Sequence, residues 1–485
     1  MLRRAWLLAA CLLSGCGQLD AGLEPKRERP NIVILYTDDQ GYGDCSAFNA
    51  EAGFRTPQMD RIAEEGMRFV DGHSAGSVCT PSRYALLTGR YAWRLPSGSG
   101  VVGSDRDCLI VDDQPTIASL AQQQGYATAV IGKWHLGMQI PGSKGDRDWS
   151  APVTDGPLQK GFDRFCGIPA SMNFGVLTWF DQDRAIEPAS MWTRKKFPEA
   201  EITVKPLDYR MAPPYDAEPA GPQDIEVAPG FADVETLEII ARKSVEYIEA
   251  HAKQPFLLYV AFTSPHLPHC TAPEFRGTSG MGNYGDFMVE TDHRVGQILD
   301  ALDRMGIAED TLVLLSSDNG PENNYQDWQR IYGHASAGGF RGGKRDVYEG
   351  GHRVPFAVRW PRAVKADSVC AAPVGQVDLL ATLADLWASP PDTEFSPDSQ
   401  SFLPELLGEE RTRRALIHHG RGRFAIREGR WKLIFAKNGR DLGAPEELFD
   451  LLADPAETGN LIEAHPDHVA RLAAQAQQRI RANAD

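Results

Sequence analysis

Cys79 and the Thr80-Pro81-Ser82-Arg83 that follow it make up the segment of this chain richest in possible chemistry. Proline is tolerated in the first turn of a helix, where its missing N–H costs nothing. Cys79 is therefore expected at a helix N-terminus, where unpaired N–H groups and the helix dipole favour an anion. Arg83 comes one turn later on the same face as Cys79, placed to grip a carboxylate beside it. Two acidic clusters offer such carboxylates, Asp38-Asp39 and Asp318-Asn319-Gly320. Carboxylates with an amide oxygen are the hard-oxygen set that calcium or magnesium takes; no histidine–cysteine set accompanies them to suggest zinc. Each cluster is also a common turn or cap sequence. Both follow strand-forming runs, and in open α/β sheets ligands bind beyond the carboxyl ends of strands, which shifts the reading towards a metal. Alone, Cys79 reads equally well as a buried free thiol at a helix start.

The longer run Ser77-Val78-Cys79-Thr80-Pro81-Ser82-Arg83, continuing to Leu87-Thr88-Gly89-Arg90, resembles the signature of the sulfatase family. The resemblance extends from about Pro30 to Leu406 and more loosely to the C-terminus. It implies that a formylglycine-generating enzyme oxidises Cys79 to formylglycine. It also implies that Asp38, Asp39, Asp318 and Asn319 bind calcium together with an oxygen of the modified Cys79. Lys133 and His135, in Gly132-Lys-Trp-His-Leu-Gly137, match the lysine and histidine beside the formylglycine. His266 in Ser264-Pro-His-Leu-Pro268 matches a substrate-side histidine, and Lys344 in Gly342-Gly-Lys-Arg-Asp346 a lysine between sulfate and leaving group. Ser171 falls where arylsulfatase A-like members place a sulfate-contacting polar residue. Singly, Lys133 also suits a surface lysine, either histidine a core position, and Lys344 a loop charge. Together and in the family's order they form a site.

The activity so implied is hydrolysis of a sulfate ester of a carbohydrate or aryl alcohol through a formylglycine hydrate and a covalent sulfo-enzyme. In that scheme Arg83, Lys133 and Lys344 neutralise charge, His266 or Lys344 protonates the leaving group, and His135 takes the proton of the second hydroxyl. Two alternatives remain: a phosphonate or phosphate diester hydrolase of the same superfamily, and a lipoprotein that binds sulfated glycans without cleaving them.

These residues need a scaffold. Asn31–Thr37 is a short, continuous apolar run, the pattern of a strand buried on both faces, and similar runs recur at Ala127–Ile131, Phe256–Phe262 and Thr311–Ser316. Helical patterns lie between them at Thr56–Glu65, Pro81–Thr88, Thr116–Gln124, Asp233–His251 and Phe287–Met305. The alternation predicts an α/β fold, a large mostly parallel central sheet flanked by helices, which the resemblance makes alkaline phosphatase-like. Trp149–Gly230, rich in Pro, Asp and Gly, reads as loops and insertions around the site, and substrate specificity is expected there and near His269 and His334. A break near Ala388–Ser401 precedes three short strands, Ala415–His419, Phe424–Glu428 and Trp431–Phe435, and a closing helix, His465–Arg481. The expected division is a catalytic domain over 30–390 and a smaller α+β subdomain with an antiparallel sheet over 402–485.

The N-terminus reads as an address. Arg3 and Arg4, the apolar run Ala5–Leu13 and then Ser14-Gly15-Cys16 form a secretory signal too short to span a bilayer. Leu13-Ser14-Gly15-Cys16 resembles a bacterial lipobox, so residues 1–16 are expected to be a signal, Cys16 the lipidated residue and 17–29 a tether. The expected location is periplasmic or cell-surface, with the membrane touched only through the lipid. A formal charge of −16 over 485 residues argues against nucleic-acid binding but not against an anionic substrate met by a local cation cluster. No CxxC pair occurs among the eight cysteines, which disfavours zinc ribbons and thiol–disulfide catalysis.

Overall fold

The computed structural model describes residues 29–481 except 97, 99, 197–208 and 390–393, so the signal segment, Cys16 and all but the last tether residue lie outside it. Asn31–Asp38 is the strand its apolar run predicts, buried at every position. Its side chains alternate between two cores: Ile32, Ile34 and Tyr36 join one, Val33 and Leu35 the other. A strand with both faces in hydrophobic layers must sit inside a sheet. It lies between Phe256–Pro265 and Thr311–Ser317, parallel to both.

Ten strands form the sheet, in the spatial order 184–185, 180–181, 164–168, 127–133, 256–265, 31–38, 311–317, 356–359, 67–69, 368–370. The middle five are parallel and the added edges mixed. Helices Cys79–Thr88, Ile117–Gln123 and Leu379–Leu386 cover one face. Pro57–Glu64, Thr236–His251 and Gly282–Arg304 cover the other. The last of these shows why: Tyr284, Phe287, Met288, Val295, Ile298, Leu299 and Leu302 recur at helical spacing and all enter the core. The predicted fold class is the observed one.

Two expectations need adjusting. The segment 149–230 is more than loops: Arg164–Ile168 extends the main sheet, and Met191–Thr193, Ile225–Val227 and Val176–Leu177 form a small sheet. The strands Met67–Phe69, Phe356–Arg359 and Ser368–Cys370 were not legible either, being short and dependent on their neighbours.

Beyond residue 402, an antiparallel sheet of Leu416–Gly420, Arg423–Glu428, Trp431–Phe435 and Pro445–Asp450 packs under helix Pro466–Arg481. Its core takes in Ala75, Ala85 and Tyr91 of the larger body. The helix Cys79–Thr88 is thus caught between two sheets and buried at all positions, and Gly89, at φ 65°, caps its C-terminus through a hydrogen bond to the Ala85 carbonyl (2.9 Å). None of the six described cysteines is in a disulfide. No helix among the described residues is long and apolar enough to cross a membrane.

The turn after Thr311–Ser317 leaves no room for a side chain at Gly320, where an added Cβ would meet the Gly350 carbonyl oxygen at 1.8 Å. Gly320→Ala should therefore cost about 1–3 kcal/mol by overpacking and lower the unfolding midpoint. A midpoint equal to wild type would show that the turn can yield.

Candidate active site

Parallel pairing brings the two acidic clusters together. Thr37 is in register with Ser317, so Asp38 and Asp318 leave adjacent strands at the same end. Asp39 then takes a left-handed conformation (φ 67°), which a short polar side chain tolerates. Its N–H donates to Asp318 Oδ1 (3.1 Å), and the Asn319 amide donates to Asp39 Oδ1 (2.8 Å). All four residues are buried.

Each carboxylate has its own cation. Lys133 Nζ is 2.5 Å from Asp38 Oδ2, and Lys344 Nζ is 2.8 Å from Asp39 Oδ2. Arg83 reaches Asp318 Oδ2 through both Nε (3.0 Å) and Nη2 (2.8 Å). Two oxygens are left over, Asp38 Oδ1 and Asn319 Oδ1, buried without a hydrogen-bond partner among the described residues. Arg83 Nη2 comes no closer than 3.9 Å to Asp38 Oδ1. A buried oxygen without a hydrogen bond is costly, and this carboxylate oxygen and the Asn319 amide oxygen, with Asp318, make a donor set of the hard-oxygen kind that calcium or magnesium takes. Cys79 belongs to the same cluster: ligand atoms of Asp38, Cys79 and Asp318 lie within 4.8 Å of one another.

The electrostatics favour an added positive charge. Burial, and next the Asp38 carboxylate, push Asp318 up to about 7 despite Arg83. Burial also works against a charged Asp39, but the Lys344 ammonium outweighs it and holds that carboxyl below its ordinary range. The Cys79 thiol is pushed up by burial, which Lys133 and Lys344 offset only in part. It stays protonated and so is a poor nucleophile.

Both predicted histidines border the cluster and are neutral. His135 is pushed well down by burial, then by Lys133 and Arg83, and neither ring nitrogen has a hydrogen-bond partner among the described residues. Its carbonyl accepts from Thr80 Oγ1 (3.0 Å), tying this loop to the helix that carries Cys79. His266 is pushed down to about 3 by burial and then Lys344. Its Nδ1–H donates to the Leu267 carbonyl (2.6 Å), leaving Nε2 as the basic nitrogen, 3.8 Å from Asp39 Oδ2. Ser171 is two residues past Pro169, whose carbonyl accepts from the His135 N–H (2.9 Å). The Ser171 hydroxyl is buried and hydrogen-bonded to none of the other candidates.

Sequence reasoning missed the floor beneath Arg83. The guanidinium lies over the Tyr36 ring, 5.3 Å from its centroid, and Nη1 donates to the Tyr259 hydroxyl (3.3 Å). Both tyrosines sit inside otherwise apolar strands, an oddity that could have flagged them. Glu322 was also missed; it is 3.7 Å from Lys344 and ion-paired with Arg345.

The sulfatase family model matches residues 30–389, most of the chain. The chain belongs to the sulfatase family. Sulfatases are sulfuric ester hydrolases, and that is its enzyme class. A second family model, for the C-terminal region of N-sulphoglucosamine sulphohydrolase, matches residues 339–484. An N-acetylgalactosamine-6-O-sulfatase of Bacteroides thetaiotaomicron is 33% identical, with 95% of each chain covered. Human arylsulfatase A is 33% identical over 92% of this chain and 85% of its own. A solved B. thetaiotaomicron structure from work on glycosaminoglycan metabolism superposes with a TM-score of 0.80 at 30% identity, covering 93% of this chain and 99% of the other.

In this sulfatase Arg83 and Asp318 are both fully buried, so removing one partner strands the other. Arg83→Met should destabilise the fold by about 3–5 kcal/mol and abolish sulfate release, whereas Arg83→Met with Asp318→Asn should recover stability but not activity. If the double variant were as unstable as the sum of the single ones, the pair would not be the source of the cost.

Proposed function

We propose that this sulfatase removes sulfate from glycans, using formylglycine made from Cys79 against a calcium ion held by Asp38, Asp39, Asp318 and Asn319. The observation that carries the reading is the position of Cys79: first residue of a buried helix, with its sulfur within 4.8 Å of the Asp38 and Asp318 carboxylates and its thiol pushed up by burial. A thiol that stays protonated there is a weak reagent. Oxidation to formylglycine would supply a hydrated aldehyde, with one hydroxyl to attack sulfur and a second to expel it. Calcium, when bound, would polarise sulfate and hydrate oxygens.

The remaining work falls to residues of the chain. The helix N-terminus favours the sulfate charge, and Lys133 and Lys344, both close enough to act on position 79, add to it. Arg83 fixes Asp318, the carboxylate closest in role to a base for the attacking hydroxyl. His135 is neutral with free nitrogens, the state needed to take the second hydroxyl's proton. His266 presents a basic Nε2 that the anionic substrate would charge, and it or Lys344 then protonates the departing alcohol. Ser171 is a further sulfate contact.

The carbohydrate reading rests on the N-acetylgalactosamine-6-O-sulfatase relative, matched over nearly the full length of both chains, and on the glycosaminoglycan neighbour. Steryl-sulfatase and arylsulfatase A match at similar identity over a smaller share of their own chains, so aryl and steroid esters serve as controls. Neither the phosphodiester hydrolase nor the non-catalytic lipoprotein gains support from these relatives. We further propose export and lipid anchoring at Cys16, on the strength of Leu13-Ser14-Gly15-Cys16.

Mass spectrometry of active protein from a host with a formylglycine-generating system should find the aldehyde at position 79 and acylation at position 16. Sulfate release should favour N-acetylgalactosamine 6-sulfate over aryl and steroid sulfates, and Cys79→Ala should abolish it. An active preparation carrying only the thiol would rule out the mechanism; a preference for the steroid ester would rule out the glycan reading.

A further inference from the structure

A second cluster lies away from the carboxylates, at the seam between the central body and the C-terminal sheet. His73 is the second residue of the two-residue strand Gly72–His73, paired with Gly375, His352 ends the helix Glu349–His352, and His418 stands mid-strand in Leu416–Gly420. All three are buried, and one ring nitrogen from each lies within 4.8 Å of the others. His73 Nδ1 and His352 Nδ1 face each other at 3.0 Å. His73 Nε2 is 2.7 Å from Asp71 Oδ1, and His352 Nε2 faces the Lys432 ammonium (3.2 Å) and the Val347 carbonyl (3.1 Å).

His418 differs from the other two. Neither of its nitrogens has a hydrogen-bond partner among the described residues, though the side chain is only 2% exposed. Its ring is stacked on His352, with centroids 3.6 Å apart and planes 7° from parallel. A buried imidazole with both nitrogens unpaired is expensive, and stacking alone could have been supplied by a phenyl ring.

We propose that His73, His352 and His418 form a metal site for a divalent transition ion of the zinc class, which fastens the C-terminal sheet to the catalytic body. Imidazole nitrogens suit zinc, cobalt, nickel and copper, whereas the oxygen cluster at Asp38 suits calcium, so the two sites select different ions. Two nitrogens on one tetrahedral zinc, each about 2.0–2.1 Å from it, are about 3.3 Å apart. The Nδ1 pair of His73 and His352 is already near that spacing, with the ion replacing the proton between them. Stacked rings point their lone pairs in parallel, so His418 must turn to complete the set, and the turn breaks no hydrogen bond. Asp71 on His73 Nε2 is the carboxylate partner that orients a metal-binding histidine. Burial keeps all three rings neutral, the form that ligates. The surrounding charges balance: Asp71, Glu349 and Glu457 against Arg353, Arg427 and Lys432.

The test uses the full chain with calcium in excess, so that the oxygen site is filled, titrated with cobalt(II) and then zinc. Expected are about one equivalent of cobalt with the visible bands of a tetrahedral nitrogen site, their loss on adding zinc, and a zinc-dependent rise in the unfolding midpoint. His418→Phe, which keeps the stack, should lose the bands and the zinc-dependent rise while still releasing sulfate. Should that variant not fold, His73→Gln gives the same readout. The proposal is overturned if wild type shows no such bands, or if either variant shows them equally.

Discussion

Three carboxylates that have almost no contact with water set the terms for the rest of this molecule. Taking a charge out of water costs several kcal/mol even after relaxation, and Asp38, Asp39 and Asp318 are at most 2% exposed. They are tolerable only because Lys133, Lys344 and Arg83 each close on one of them. Those cations come from three different places: the end of strand 127–133, the loop before Glu349, and the helix that begins at Cys79. The register of parallel strands 31–38 and 311–317 fixes the carboxylates side by side, and the two sheets that grip the 79–88 helix fix Arg83.

The same constraint produces the chemistry. Once each carboxylate has given one oxygen to a cation, Asp38 Oδ1 has only the Arg83 guanidinium at 3.9 Å, and it and the Asn319 amide oxygen have no hydrogen-bond partner among the described residues. Burial first, and then the neighbouring Asp38 carboxylate, raises Asp318; burial first, and then the neighbouring cations, lowers His135 and His266. The result is a buried cluster in which carboxylates, cations and two neutral histidines meet, the mixture that the proposed calcium ion and sulfate ester would need. Position 79 belongs to that cluster, its sulfur within 4.8 Å of the Asp38 and Asp318 carboxylates.

The parts legible in the sequence were those with a local signature. Asn31–Thr37 announces a buried strand by its unbroken apolar run; the strand ends drew attention to Asp38-Asp39 and Asp318-Asn319, and the family resemblance implied them as a ligand set. Cys79 and Arg83 were legible through their spacing and the family they resemble. What stayed hidden depends on distant residues meeting. Tyr36 and Tyr259 become a floor for Arg83 only once two strands are placed beneath the helix. His73, His352 and His418 are hundreds of positions apart in part, and no spacing rule joins them. Short edge strands such as Phe356–Arg359 take their conformation from the sheet they complete, not from their own composition.

We propose that Asp38 Oδ1 and Asn319 Oδ1, which lack hydrogen-bond partners among the described residues, hold a calcium ion. Calorimetric titration of calcium into wild type and Asn319→Leu tests it most directly, because that change deletes one of those oxygens without altering the charge. A single calcium site is expected in wild type, with at least about tenfold weaker binding in the variant. Equal affinity in the two proteins, or no calcium binding by wild type, would contradict it.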